Sequence, residues 1–177
     1  VFRNNSILKQ LFKERWVRTS KLLVAGHSEG STIASKMASI NKKVTHLIYS
    51  GGNPYGRIMN MLSQSRSFDN DTLNEGDNTI EYWKKVVENP NEINTENGDS
   101  NKTTYSFSLP QKDNLMGLKI PVLVTYGTKD WSVSFNDLFQ IESIRERKQN
   151  LSFKSYLNLE HNYFPIDKNG TVNEEIY

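Results

Sequence analysis

One stretch constrains this chain more than any other. Lys21-Leu22-Leu23-Val24-Ala25-Gly26 is a short, continuous apolar run that closes on glycine, the pattern of a strand buried on both faces. Glu29 to Ile40 follows at once and reads as a helix. Its small residues Ser31, Ala34, Ser35 and Ala38 allow close packing on a sheet. Only His27 and Ser28 stand between the two, so the backbone must reverse sharply from strand to helix at the serine. A serine in such a turn is strained, and side chains two residues to either side would crowd it. Gly26 and Gly30 relieve that crowding. The helix beginning at Glu29 aims its dipole and its first N–H groups at the serine hydroxyl.

The rest of the chain repeats this strand and helix grammar. Asn4 to Arg15 carries Ile7, Leu8, Leu11 and Phe12 at helical spacing, with Asn5 or Ser6 as N-cap. Val44 to Tyr49 is a second strand, closed by Gly51-Gly52. Between residues 53 and 116 the character changes: Gly56 to Phe68 and Thr79 to Glu88 read as helices, and Asn89 to Thr104 is polar and too long for a simple loop. This segment is expected to be an inserted cap, with Tyr105, Phe107 and Leu109 alternating as a short extended return. Ile120 to Gly127 is a third strand, with Pro121 tolerated at its start. Phe135 to Lys148 is an amphipathic helix expected to turn Leu138, Phe139, Ile141 and Ile144 inward, and Leu151 to Leu157 is a fourth strand. The expectation is an α/β chain: a mostly parallel sheet of about four strands with helices on both faces. Residues 1–52 and 117–177 form its two core parts, and 53–116 the insertion.

The 177 residues suffice for one domain with a sizeable core. The formal charge of +2 singles out neither nucleic acid nor a membrane surface as partner. The basic run Lys13-Glu14-Arg15-Trp16-Val17-Arg18 reads as a solvated helix end. The absence of cysteine excludes disulfides, zinc–thiolate sites and a cysteine nucleophile, and leaves the compartment open. No apolar run is long enough to span a bilayer. Asn101-Lys102-Thr103 and similar triplets are expected by chance in an Asn-rich chain. Neither a dinucleotide-binding glycine pattern nor a phosphate-loop lysine follows the first strand. A chain opening on Val1 rather than Met is expected to be a processed or excised piece of a longer one.

Gly26-His27-Ser28-Glu29-Gly30 fits G-x-S-x-G, and its position between a buried strand and a small-residue helix resembles the nucleophile elbow of the α/β-hydrolase family. The resemblance implies the order serine, acid, histidine. Tyr126-Gly127-Thr128-Lys129-Asp130 follows the third strand, so Asp130 matches the acid. Leu159-Glu160-His161-Asn162 follows the fourth, so His161 matches the base. The chain has three histidines. His27 is expected to project away from the serine in a packing or supporting role, and His46 to be structural. Asp137 is the nearest rival acid and Glu160 a more remote one. The loop Gly51-Gly52-Asn53-Pro54 holds no carboxylate.

The implied chemistry is acyl transfer. Ser28 attacks an ester, thioester or amide carbonyl of a small molecule or peptide. His161 moves the proton, Asp130 orients the imidazole, and the N–H of Glu29 is one oxyanion donor. No metal or organic cofactor is called for. Acyl transfer to an acceptor other than water, and a non-catalytic binding protein on the same scaffold, are the alternatives. Glu29 after the serine resembles the peptidase- and dienelactone-hydrolase-like branches. The resemblance spans nearly the whole chain but only the second half of the family's fold. The loop that supplies a second oxyanion donor is therefore expected to lie elsewhere. The strand at 21–26 is expected to be an apolar edge that pairs with a further part of the polypeptide or with another chain.

Overall fold

The computed structural model describes residues 1–18, 20–70, 72–93, 98–167 and 171–172. The apolar run and the small-residue segment form β1 (Leu23–His27) and α2 (Glu29–Ile40), preceded by α1 (Phe2–Leu11). Then come β2 (His46–Ser50), four helices, α3 (Arg57–Arg66), α4 (Glu75–Glu88), α5 (Asn101–Ser108) and α6 (Lys112–Gly117), and finally β3 (Val122–Gly127), α7 (Val133–Arg145) and β4 (Leu151–Tyr156). The strands form one sheet in the order β1-β2-β3-β4, every neighbouring pair parallel. Each strand end therefore delivers its following loop to the same edge. In this arrangement the turns after β1, β2, β3 and β4 meet, although they are far apart in sequence.

The core is one cluster on one face of the sheet. Leu47, Tyr49, Val122, Val124 and Tyr126 point into it, and Ala34 and Ala38 of α2, Leu115 and Met116 of α6, and Phe139 of α7 close over them. Each of the buried Val, Leu, Met and Phe side chains contributes about 1.5–3 kcal/mol relative to an exposed one. The expectation of helices on both faces is not met among the described residues. The opposite face carries Leu23, Ala25 and Leu123, all exposed. Because that face is uncovered, burial along β1 alternates and the strand, which lies at the edge of the sheet, is not buried on both faces.

Four further expectations need correction. α7 buries Asn136, Phe139 and Ser143. Leu138, Ile141 and Ile144 are 44%, 54% and 67% exposed. The helix is held by polar anchors: Asn136 Nδ2 donates to Gly52 O at 2.9 Å and Tyr126 donates its phenol proton to Asp137 at 2.7 Å. These bonds decide which of two apolar faces turns inward. The alternating Tyr105, Phe107 and Leu109 do not make an extended segment. Ser100 caps α5 by accepting from the Thr103 N–H, Thr104 and Ser108 are buried one turn apart, and Tyr105 stacks on Trp83 of α4.

α1 begins at Phe2 and has no side-chain cap. Asn5 accepts from Asn41 at 2.9 Å, and Ser6 donates back to the Phe2 carbonyl at 3.1 Å, so neither serves as N-cap. α4 starts a turn earlier than its apolar pattern, because Asn74 accepts from the Asp77 N–H. Arg66 pairs with Asp69 and Asp77 at 2.9 and 2.6 Å, binding α3 to the start of α4. Residues 94–97 of the long polar connection lie outside the described residues. Among those described, no helix is long and apolar enough to cross a membrane, and no group of three potential metal ligands occurs.

Candidate active site

Ser28 sits at the turn from β1 to α2 with φ 56° and ψ −125°, a left-handed backbone that costs a non-glycine residue on the order of 1–3 kcal/mol. Two bonds hold it there: Ser28 N–H donates to Ser50 O at 2.9 Å, and Ser31 N–H donates to Ser28 O at 3.0 Å. A Cβ at Gly26 would collide with the Gly30 carbonyl, so this position admits only glycine. Gly30 differs from expectation: a Cβ there meets nothing within 4 Å. The crowding is thus one-sided, because the Gly26 Cβ would point under the turn while that of Gly30 would point to open space.

The side chains of Ser28, His161 and Asp130 form one hydrogen-bonded line. The Asp130 carboxylate accepts from His161 Nδ1 at 2.8 Å, which leaves Nε2 to accept the Ser28 hydroxyl at 2.9 Å. Asp130 has no exposed side-chain surface, and its other oxygen accepts from the Ser132 N–H at 2.8 Å. Its hydrogen bond to Asp130 raises the pKa of His161 above the ordinary imidazole value, against an opposing effect of burial. The charges of Asp130 and Glu160 add to the rise. A hydroxyl so linked to an imidazole and a buried carboxylate can lose its proton to nitrogen as its oxygen attacks an electrophile. As the first residue of α2, Glu29 has an N–H with no partner inside the helix.

The rival carboxylates are engaged elsewhere. Asp137 accepts from Tyr126, and Glu160 accepts from the backbone N–H groups of Asn162 and Phe164, shaping the loop that carries His161. His46 bonds its neighbour Thr45. His27 does not project away from the site: its ring centroid lies 5.0 Å from that of His161, and its Nδ1 is 3.2 Å from Ser50 Oγ.

A cavity of about 230 Å³ opens over Ser28 and His161. The helices between β2 and β3 wall it: Arg57, Asn60, Met61 and Gln64 come from α3 and Phe107 from α5, with Trp131 opposite. Arg57 Nη1 lies 2.8 Å from Glu29 Oε1 and 2.6 Å from Asp99 Oδ2, charge pairs without hydrogen-bond angles. They tie the start of α3 to the start of α2 through Glu29 and to the residues just before α5 through Asp99. Sequence reasoning passed over Arg57, Asn136, Ser50 and Tyr163, because nothing local marks a polar residue whose partner arrives from another loop.

No protein-family model and no curated protein sequence matches the chain. Solved structures do. A 2,6-dihydroxy-pseudo-oxynicotine hydrolase aligns over 90% of this chain with a TM-score of 0.55 and 18% identity. A Pyrococcus furiosus esterase aligns over 88% with a TM-score of 0.54 and 14% identity. A Pyrococcus horikoshii acylaminoacyl peptidase aligns over 89% with a TM-score of 0.53 and 14% identity. The chain has part of the α/β-hydrolase fold. It spans 39%, 51% and 22% of those three chains, so it corresponds to a part of the α/β-hydrolase fold they display.

Proposed function

We propose that this chain carries the reaction centre of a serine hydrolase acting on an ester, thioester or amide. The observation that supports it most directly is the unbroken line from the buried Asp130 through His161 to Ser28, at 2.8 and 2.9 Å, with Ser28 raised on a strained turn. Ser28 Oγ adds to the substrate carbonyl carbon as its proton passes to His161 Nε2. Collapse of the tetrahedral intermediate breaks the bond to the leaving group, which takes that proton and departs, and the acyl group stays on Ser28. Water then attacks the acyl carbon, giving its proton to His161 Nε2. Collapse releases the acid and returns the proton to Ser28 Oγ. Asp130 keeps the imidazole in the required tautomer and stabilises its cation. The Glu29 N–H donates to the developing oxyanion. No step calls for a metal or an organic cofactor.

Residues 53–116 act as the cap of this site, and α3 and α5 shape what the cavity admits. Esterase and peptidase neighbours share the fold, and the acyl chemistry is that of the serine, imidazole and carboxylate at this chain's own site. A fluorophosphonate probe tests it. Labelling at Ser28, abolished by Ser28→Ala and weakened by His161→Ala, is the expected result. A folded chain that takes up no label from mildly acidic to mildly basic pH would overturn the proposal.

A further inference from the structure

His161 belongs to a loop, and a loop needs something to hold it. Glu160 and its bonds to Asn162 and Phe164 set the loop's internal shape. Lys129 N–H donating to Leu159 O, and Asn158 N–H donating to Thr128 Oγ1, join it to the turn that carries Asp130. These bonds keep base and acid together, but none reaches the turn that carries Ser28.

That connection runs through Ser50, the last residue of β2. Its backbone carbonyl accepts the Ser28 N–H at 2.9 Å. Its hydroxyl is 2.7 Å from the phenol oxygen of Tyr163, two residues beyond His161. The same phenol is 2.7 Å from Thr125 Oγ1, and Thr125 is the register partner of Ser50 on β3. The Tyr163 hydroxyl is thus pinned between the end of β2 and the neighbouring residue of β3. Its ring packs edge-on against Tyr156 and tilted against His27. His27 in turn meets both Ser50 Oγ and the ring of His161. Tyr163 holds φ 66°, a conformation that costs a non-glycine residue and persists where its surroundings dictate it.

We infer that Tyr163 is a positioning residue whose bond to Ser50 sets the distance between His161 and Ser28. Ser50 serves as a common anchor, holding the serine turn by its backbone and the histidine loop by its side chain. The inference rests on the serine-hydrolase reading for its consequence in rate. The bond itself is measurable without any activity.

The test is a coupling experiment on the 177-residue chain, read from the imidazole ¹⁵N resonances of His161. Ser28→Ala should shift the Nε2 resonance in the otherwise unchanged protein. In the Tyr163→Phe background, which keeps the ring and removes only the hydroxyl, the same change should leave that resonance in place. Ser50→Ala is the second background and should behave as Tyr163→Phe does. An equal Nε2 shift on Ser28→Ala in all backgrounds, or no shift in any, overturns the inference. Fluorophosphonate labelling supplies the rate. Tyr163→Phe should slow the limiting labelling step on the order of 10- to 100-fold while leaving half-saturation by the probe unchanged. Failure of the unsubstituted chain to label counts against the hydrolase reading, and the resonance experiment still decides Tyr163.

Discussion

Gly127 lies directly beneath Leu159: a Cβ on the glycine would collide with the Leu159 carbonyl. At this contact the turn carrying Asp130 and the loop carrying His161 touch backbone to backbone. Gly127→Ala should destabilise the chain by about 1–3 kcal/mol, because neither backbone can withdraw without breaking the bond from Lys129 N–H to Leu159 O. Urea midpoints of the two proteins measure it. Labelling of Ser28 should fall in the variant even where it remains folded.

Asp130→Asn should preserve the fold and lower the labelling rate by about 10⁴-fold, since an amide in place of the carboxylate favours the wrong imidazole tautomer. The comparison Asp137→Asn should label at close to the unsubstituted rate, because Asp137 serves Tyr126. A large loss for Asp137 and none for Asp130 would reassign the acid.

The pH profile has a definite sign. The folded pKa of His161 is raised, first by its hydrogen bond to Asp130. Only the neutral imidazole accepts a proton, so labelling should rise with pH through a midpoint above the ordinary value of about 6.5. The stability contributed by the charged imidazole runs the other way. It is fully present below the unfolded value and is lost as pH rises through the raised folded one. In Asp130→Asn the acid limb of labelling should move down. A midpoint at or below the ordinary value in the unsubstituted chain contradicts this.

The orientation of α7 separates two substitutions that the sequence treats alike. Phe139→Ala removes a fully buried ring that packs on Phe153 and should cost about 3–5 kcal/mol. Ile144→Ser, at a position 67% exposed, should change stability by no more than about 0.5 kcal/mol. Denaturant titration of both decides it.

β1 is an edge strand with Leu23 and Ala25 exposed. Such an edge is a template for pairing, and the chain is expected to associate through it as concentration rises. Leu23→Lys should weaken that association in sedimentation velocity. A monodisperse monomer at high concentration would rule out this role for the edge.

Much of this protein follows from local order alone. An apolar run, a glycine-flanked serine and a small-residue helix leave the backbone no other course than a strand, a tight turn and a helix. Repeating that pattern yields parallel strands whose following loops share an edge, and the resemblance to the α/β-hydrolase order of serine, acid and histidine is what named Ser28, Asp130 and His161 on those loops. What local order could not decide was orientation. Leu138, Ile141 and Ile144 have the spacing of a buried face, yet Asn136 and Asp137 find polar partners that turn them outward. Tyr105, Phe107 and Leu109 alternate like a strand, yet a serine cap and the stack on Trp83 wind Tyr105 and Phe107 into a helix that ends just before Leu109. Tyr163 gives no signal in the sequence, because its meaning depends on Ser50 and Thr125 standing side by side in β2 and β3. Periodicity records which residues are apolar. Only the packed chain records which hydrogen-bond partners arrive from elsewhere, and those partners set the direction of each helix face and hold the histidine loop over the serine.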